Sequence, residues 1–97
     1  MAAILETVKQ KALPAAAAQY ETPEVQLLVG LCKQLQAQAG DKPFFLAAGT
    51  INELFGLEGD RMRAWRWLRL LVLDEVLVEV QKGDRRHASS FRYVGGD

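Results

Sequence analysis

The chain has one cysteine, one histidine, three prolines and no long apolar run among its 97 residues. A single cysteine makes no internal disulfide, and one Cys with one His falls short of the ligand set of a structural zinc site. The fold must therefore stand on its packing, and the chain suits a reducing compartment. Its most apolar run, Leu70-Leu71-Val72-Leu73, is far shorter than the ~20 residues that cross a bilayer, so no membrane partner is expected. Met1-Ala2-Ala3-Ile4-Leu5-Glu6 has no basic lead before its few apolar residues, so the expectation is a cytoplasmic protein without an export signal. Catalytic constellations are missing too. Ser89 and Ser90 lie near His87 without an orienting third group, and Gly56-x-x-Gly59 lacks the lysine of a phosphate loop. The chain is expected not to be an enzyme and to need no cofactor or metal.

Net charge is also missing. Twelve basic residues balance twelve acidic ones, which as a total argues against a strongly basic nucleic-acid binder. Position changes that reading. Residues 1–60 hold four basic groups against seven acidic ones, a net of −3, and residues 61–97 hold eight against five, a net of +3. Arg61, Arg63, Arg66 and Arg69 crowd into one short stretch, and Lys82, Arg85, Arg86 and His87 share a polar segment further on. Such asymmetry points to an anionic partner.

What remains is an ordinary soluble composition, 49% hydrophobic and 25% charged. A chain of this length buries roughly two thirds of its unfolded surface and suits one core. Residues 2–12 read as a short amphipathic helix with Ile4, Leu5, Val8 and Ala12 on one face, ended by Pro14. A connector to residue 22 follows, in which Ala15 to Ala18 are either loop or locally helical. Thr22 suits an N-cap and Pro23 a first helical residue, and Val25, Leu28, Val29, Cys32, Leu35 and Ala39 form a buried stripe up to Gly40. Cys32 on that stripe is a packed residue with no sign of thiolate activation.

After the turn Asp41-Lys42-Pro43, Phe44-Phe45-Leu46 reads as a strand or extended lead-in. A helix over about 48–55 buries Ile51, Leu54 and Phe55, and its start is ambiguous between weak residues at 47–49 and a capping box formed by Thr50 and Glu53. After the turn 56–60, Asp60 caps a helix to about Asp74, with Ala64, Trp67, Leu68 and Leu71 inward. Met62, Trp65, Arg66 and Arg69 then share an outer face, while Arg63 lies about 100° round from Met62 and is expected to reach a phosphate or an acidic neighbour. Glu75 stands where a left-handed glycine would suit the helix end, at a cost of about 1 kcal/mol. The period then changes to two over Val76 to Gln81 and again over Ser90 to Val94, which with the polar segment 82–88 makes a hairpin with a basic tip. Gly95-Gly96-Asp97 reads as a frayed end. The expected division is 1–22 as helix and connector, 23–94 as the main domain and 95–97 as the terminus.

The order helix, short strand, helix, turn, helix, hairpin resembles the winged helix-turn-helix family. The resemblance lies in Phe44-Phe45-Leu46, Ile51-x-x-Leu54-Phe55-Gly56-Leu57, Ala64-x-Arg66-Trp67-Leu68-x-x-Leu71, Val76-Leu77-Val78-x-Val80 and the hairpin. Residues 43–93 in particular are similar to modules in replication proteins of phages and other mobile elements, including primase-polymerases. The resemblance implies a mainly α fold with a small antiparallel β-hairpin and an extra N-terminal helix. It implies DNA binding, with the arginine-bearing helix in the groove and the hairpin on the backbone. The implied contacts are Arg61, Met62, Arg63, Trp65, Arg66 and Arg69 from the helix, and Lys82, Arg85, Arg86, His87 and Arg92 from the hairpin. The DNA is either duplex or primer-template, and other replication proteins or further domains of a parent chain are possible partners.

Other readings stand beside this one. The arginines form an ordinary solvated face if they pair with Glu58, Asp60, Asp74 or Glu75. Trp65 is either semi-buried packing or an exposed surface for a base, sugar or partner. His87 is expected to be exposed. Winged helices also serve as protein-interaction modules without DNA contact. Residues 2–20 either pair with a second copy or cover the domain's own core.

Overall fold

The longest element is α2 (Pro23–Ala39), laid down by the apolar stripe that runs from Val25 to Leu35. The computed structural model describes residues 2–10, 13–57, 61–84 and 86–96, without the side chains of residues 2–4 and 61. Val25, Leu28, Val29, Leu31, Cys32 and Leu35 are all buried, so the helix runs through the middle of the core. Thr22 stands at its N-cap in extended conformation but makes no side-chain cap bond; the first turn is closed by the Gln26 N–H donating to the Thr22 carbonyl at 3.1 Å. Gly40 ends the helix with φ of 67°.

Among the described residues there are four α-helices and one three-stranded antiparallel sheet, an α+β domain. The helices are α1 (Ala2–Gln10), α2, α3 (Ala48–Phe55) and α4 (Arg61–Leu73). The strands are β1 (Phe44–Phe45), β2 (Leu77–Gln81) and β3 (Ser90–Tyr93), in the spatial order β1-β3-β2. The expected hairpin thus gains a third strand, because Phe44 pairs with Phe91 and Phe45 with Ser90. The Leu46 N–H extends that pairing to the Ser89 carbonyl at 3.0 Å.

The alanine-rich connector is a 3-10 helix over Ala15–Gln19. It is pinned at its end, where the Tyr20 hydroxyl donates to Asp74 at 2.8 Å, tying the connector to the far end of α4. The N-terminal helix covers the domain's own core: Leu5, Val8 and Pro14 are buried, and α1 packs on α2. Gly30 makes this possible, since a Cβ there would lie 2.7 Å from Val8 Cγ1 and 3.0 Å from Leu13 Cδ2. Ala12, expected on the apolar face of this helix, lies outside the described residues.

α3 starts at Ala48 with Ala47 as its N-cap, so the capping-box reading of Thr50 and Glu53 is not the one adopted. The Thr50 N–H instead donates to the Ala47 carbonyl at 3.1 Å. α3 meets α4 through Phe55 and Trp67, whose rings are edge-on at 6.0 Å. Ala64, Trp67, Leu68 and Leu71 are the buried face of α4, as their spacing requires. The expected cap Asp60 and its neighbour Glu58 lie outside the described residues.

α4 ends in a Schellman arrangement. The Val76 N–H donates to the Leu71 carbonyl at 2.9 Å and the Glu75 N–H to the Val72 carbonyl at 3.2 Å. Leu71 and Val76, the apolar pair that accompanies such an ending, are both fully buried. Glu75 takes the left-handed position with φ of 60°, where glycine would be unstrained.

Gln36 joins three parts of the chain. Its Nε2 donates to the Gly40 and Lys42 carbonyls at 2.9 and 2.8 Å, and its Oε1 accepts from the Tyr93 N–H at 3.0 Å. The C-terminal Gly96 carbonyl accepts from the Tyr93 hydroxyl at 2.6 Å. None of the helices among the described residues is long and apolar enough to cross a membrane.

Candidate nucleic-acid interface

The outer face of α4 is set by a simple complement. Four small or apolar residues point inward, which leaves Met62, Trp65 and Arg66 exposed and Arg69 half-buried. Trp65 keeps 49% of its surface accessible and Met62 52%, while Trp67 keeps 8%. Trp67 is core and Trp65 is surface. The guanidinium of Arg69 lies 5.9 Å from the Trp65 ring centre, and that of Arg63 lies 5.3 Å from the Trp67 ring. Both distances suit a cation–π contact, so Arg63 covers the edge of the core.

Arg69 has a second commitment. It forms an ion pair with Glu79 of β2 across the angle between helix and sheet. Glu58 and Asp60, weighed for that role from the sequence, lie outside the described residues; the partner seen is Glu79, which alternates with Val78 and Val80 along β2. The β2 row that faces α4 is Leu77 and Glu79, and the valines are the exposed row. An amphipathic strand would ordinarily bury its valines. Here Arg69 gives an inward glutamate a partner, and the valines face away. Arg69 Nε is buried without an acceptor among the described residues.

The loop between β2 and β3 is organised by Asp84 and Gly83. Asp84 Oδ1 accepts from the Arg86 N–H at 2.8 Å, the His87 N–H at 2.9 Å and the His87 ring at 3.1 Å. The Arg86 N–H, then the His87 ring and N–H, hold the Asp84 carboxyl below its ordinary value. The Gly83 N–H donates to the Ser89 hydroxyl at 2.9 Å, and the loop backbone closes so tightly that a Cβ on Gly83 would lie 2.4 Å from the His87 carbonyl oxygen. Lys82, Arg86 and His87 are exposed on this loop.

Between α4 and the loop lies a groove of about 360 Å³. Trp65 and Arg69 form one wall, Lys82 and His87 border it, and Leu46 and Phe91 lie on its apolar side. Met62 and Arg66 continue the exposed face of α4.

The expected site residues therefore divide. Trp65, Arg69, Lys82 and His87 meet at one groove, with Met62 and Arg66 on the adjoining helix face and Arg86 on the same loop. Arg92 is not with them. It pairs with Val78 on the opposite face of the sheet from Glu79, and its Nη1 donates to the Asp41 carbonyl. The side chain of Arg61 and all of Arg85 lie outside the described residues. Sequence reasoning missed Glu79, Asp84 and Gly83; the glycine within a polar hairpin segment was the only local signal among them.

The other titratable groups with a displaced pKa are structural. Burial pushes the Cys32 thiol up, which keeps it protonated and inert. Partial burial, then the hydrogen bond and charge of Asp74, raise the Tyr20 phenol. No group of His, Cys, Asp and Glu among the described residues is arranged to hold a metal ion. Comparison with protein-family models, with curated proteins and with solved structures gave no match.

Proposed function

We propose that this chain is a winged helix-turn-helix module that binds DNA, with α4 in the groove and the β2–β3 loop on the backbone, as part of a replication or mobile-element protein. The observation that carries the reading is the convergence of α4 and the loop. Met62, Trp65 and Arg66 stand exposed on the helix next to a loop bearing Lys82, Arg86 and His87. The strand order β1-β3-β2, with α3 and α4 packed between β1 and the hairpin in sequence, supports the same assignment.

Arg66 is the chief candidate for a base edge, because Arg69 is engaged by Glu79 and Arg63 lies over Trp67. Lys82 and Arg86 serve the phosphates, which position the protein and carry little sequence information. Neutralising about four phosphates gives a log–log salt slope of about −3.6 on duplex DNA. A fluorescence anisotropy titration at several salt concentrations tests this, and a flat salt response overturns the electrostatic docking. Arg66→Ala leaves the core untouched and is expected to weaken binding; unchanged affinity removes α4 from the groove.

One observation favours a second reading, a protein-interaction module. The sheet face away from α4 exposes Phe45, Val78 and Val80 beside Arg92. Substituting Val78 and Val80 by threonine separates the readings: DNA binding through α4 is indifferent to that change.

A further inference from the structure

The groove between α4 and the β2–β3 loop has the wrong charge for a phosphate site. Arg69 and Lys82 are matched by Glu79 and Asp84, and the fifth titratable group on its border, His87, is hydrogen-bonded to Asp84. An anion entering it gains no net attraction. An uncharged, flat group gains a good deal. Trp65 stands half exposed in the wall, beside the buried apolar side chains of Leu46 and Phe91, and Arg69 Nε in the same wall is a buried donor without an acceptor among the described residues. Arg66, exposed on the helix outside the groove, and Lys82, exposed at its border, stand where a chain of phosphates would pass.

Volume narrows the ligand. At about 360 Å³ the groove is at the small end of the ~300–1,000 Å³ range of ligand sites. It is large enough to hold an aromatic ring system. A nucleobase fits every term: planar and uncharged, with acceptors on its edge and a phosphate tether left outside. A base inside a duplex cannot reach the groove, since its faces are covered by its neighbours.

We infer that this groove takes a single unpaired nucleobase, stacked on Trp65, from DNA that is double-stranded on one side and single-stranded on the other. The inference rests on the DNA-binding reading and names its substrate as a duplex end or fork with an unpaired nucleotide. The phosphates on either side of the unpaired base run past Lys82 and Arg66, while the paired part of the DNA lies along α4. A free nucleotide, which brings its own phosphate charge without a duplex to hold it, binds weakly.

Anisotropy with four DNA probes at one salt concentration tests this: a blunt duplex, the same duplex with a one-nucleotide overhang, that overhang carrying an abasic sugar, and the free mononucleotide. The base-bearing overhang is expected to bind about tenfold tighter than the blunt duplex, the size of one base–aromatic stack, and to quench tryptophan fluorescence. The abasic overhang, which keeps the added phosphate, is expected to fall back to the blunt value. Trp65→Ala should abolish the tenfold preference, so that base-bearing and abasic overhangs bind alike, and Trp65→Phe should keep part of it. Equal affinity for the base-bearing and abasic overhangs overturns the inference while leaving the DNA-binding reading intact. Tight binding of the free mononucleotide overturns the junction assignment. Absence of binding to every DNA probe overturns the DNA-binding reading itself and this inference with it.

Discussion

Arg69 of α4 and Glu79 of β2, ten positions apart, form an ion pair that bridges the helix and the sheet. The pair is partly buried, with the Arg69 side chain 34% exposed and that of Glu79 23%. It decides which of the α4 arginines remains available: Arg66 does, and Arg69 is held against the sheet with the Trp65 ring beside it.

Glu79→Gln is expected to release that restraint. The amide keeps an acceptor for Arg69 but removes a negative charge beside the groove. Stability should fall by about 1 kcal/mol or less, as for other partly exposed pairs. DNA affinity should rise, and the salt slope should steepen by about 0.9 if Arg69 gains a phosphate. Anisotropy at several salt concentrations reads both; a lower affinity would show that the pair positions the site instead of competing with it.

Glu75→Gly is expected to stabilise the fold. The residue holds φ of 60° at the end of α4 and its side chain is exposed. Relief of left-handed strain, ~1–2 kcal/mol, outweighs the added entropy of a glycine in the unfolded chain, for a net gain of about 0.5–1 kcal/mol. Urea unfolding of the two proteins measures it.

Gly83→Ala is expected to deform the loop. The new Cβ would lie 2.6 Å from the Ser89 nitrogen and 2.8 Å from the Ala88 carbonyl carbon, both backbone atoms that cannot step aside. Overpacking of this kind costs about 1–3 kcal/mol locally. The substitution should weaken DNA binding while the helical signal in circular dichroism persists, since the loop lies outside the core.

Asp84 gives the loop a pH dependence. Its carboxyl is held below the ordinary value by the Arg86 N–H, then by the His87 ring and N–H, so the folded pKa lies below the unfolded one. Loop stabilisation is therefore fully present above the unfolded carboxylate value, and is lost as pH falls through the folded value. The amide resonances of Arg86 and His87 should titrate together below about pH 4, the ordinary carboxylate range. In Asp84→Asn the shared titration should vanish, and its persistence would assign it to another group.

Much of this protein is legible in its periodicities. The stripe of α2, the inward face of α4 through Ala64, Trp67, Leu68 and Leu71, and the change to a period of two after Glu75 each follow from local geometry acting on one residue after another. The strain at Glu75 was legible for the same reason: the end of a helix is a local event. The cancellation of −3 against +3 along the chain is likewise a property of order alone.

Tertiary structure decided what those side chains do. Nothing within α4 says that Arg69 meets Glu79 or that Trp65 stands half in solvent. Each depends on how closely the hairpin approaches the helix. Arg92 belongs to the basic half of the sequence yet lies on the far face of the sheet, because a strand sends alternate residues to opposite sides. Gly30 gave no local sign of its role, which is to let α1 lie against α2. Sequence alone determined which elements form and which faces of them are apolar, since both are set within a few residues. Which charges stay free, and the neutral groove between α4 and the loop, arise only when distant residues are brought within contact distance by the packed core.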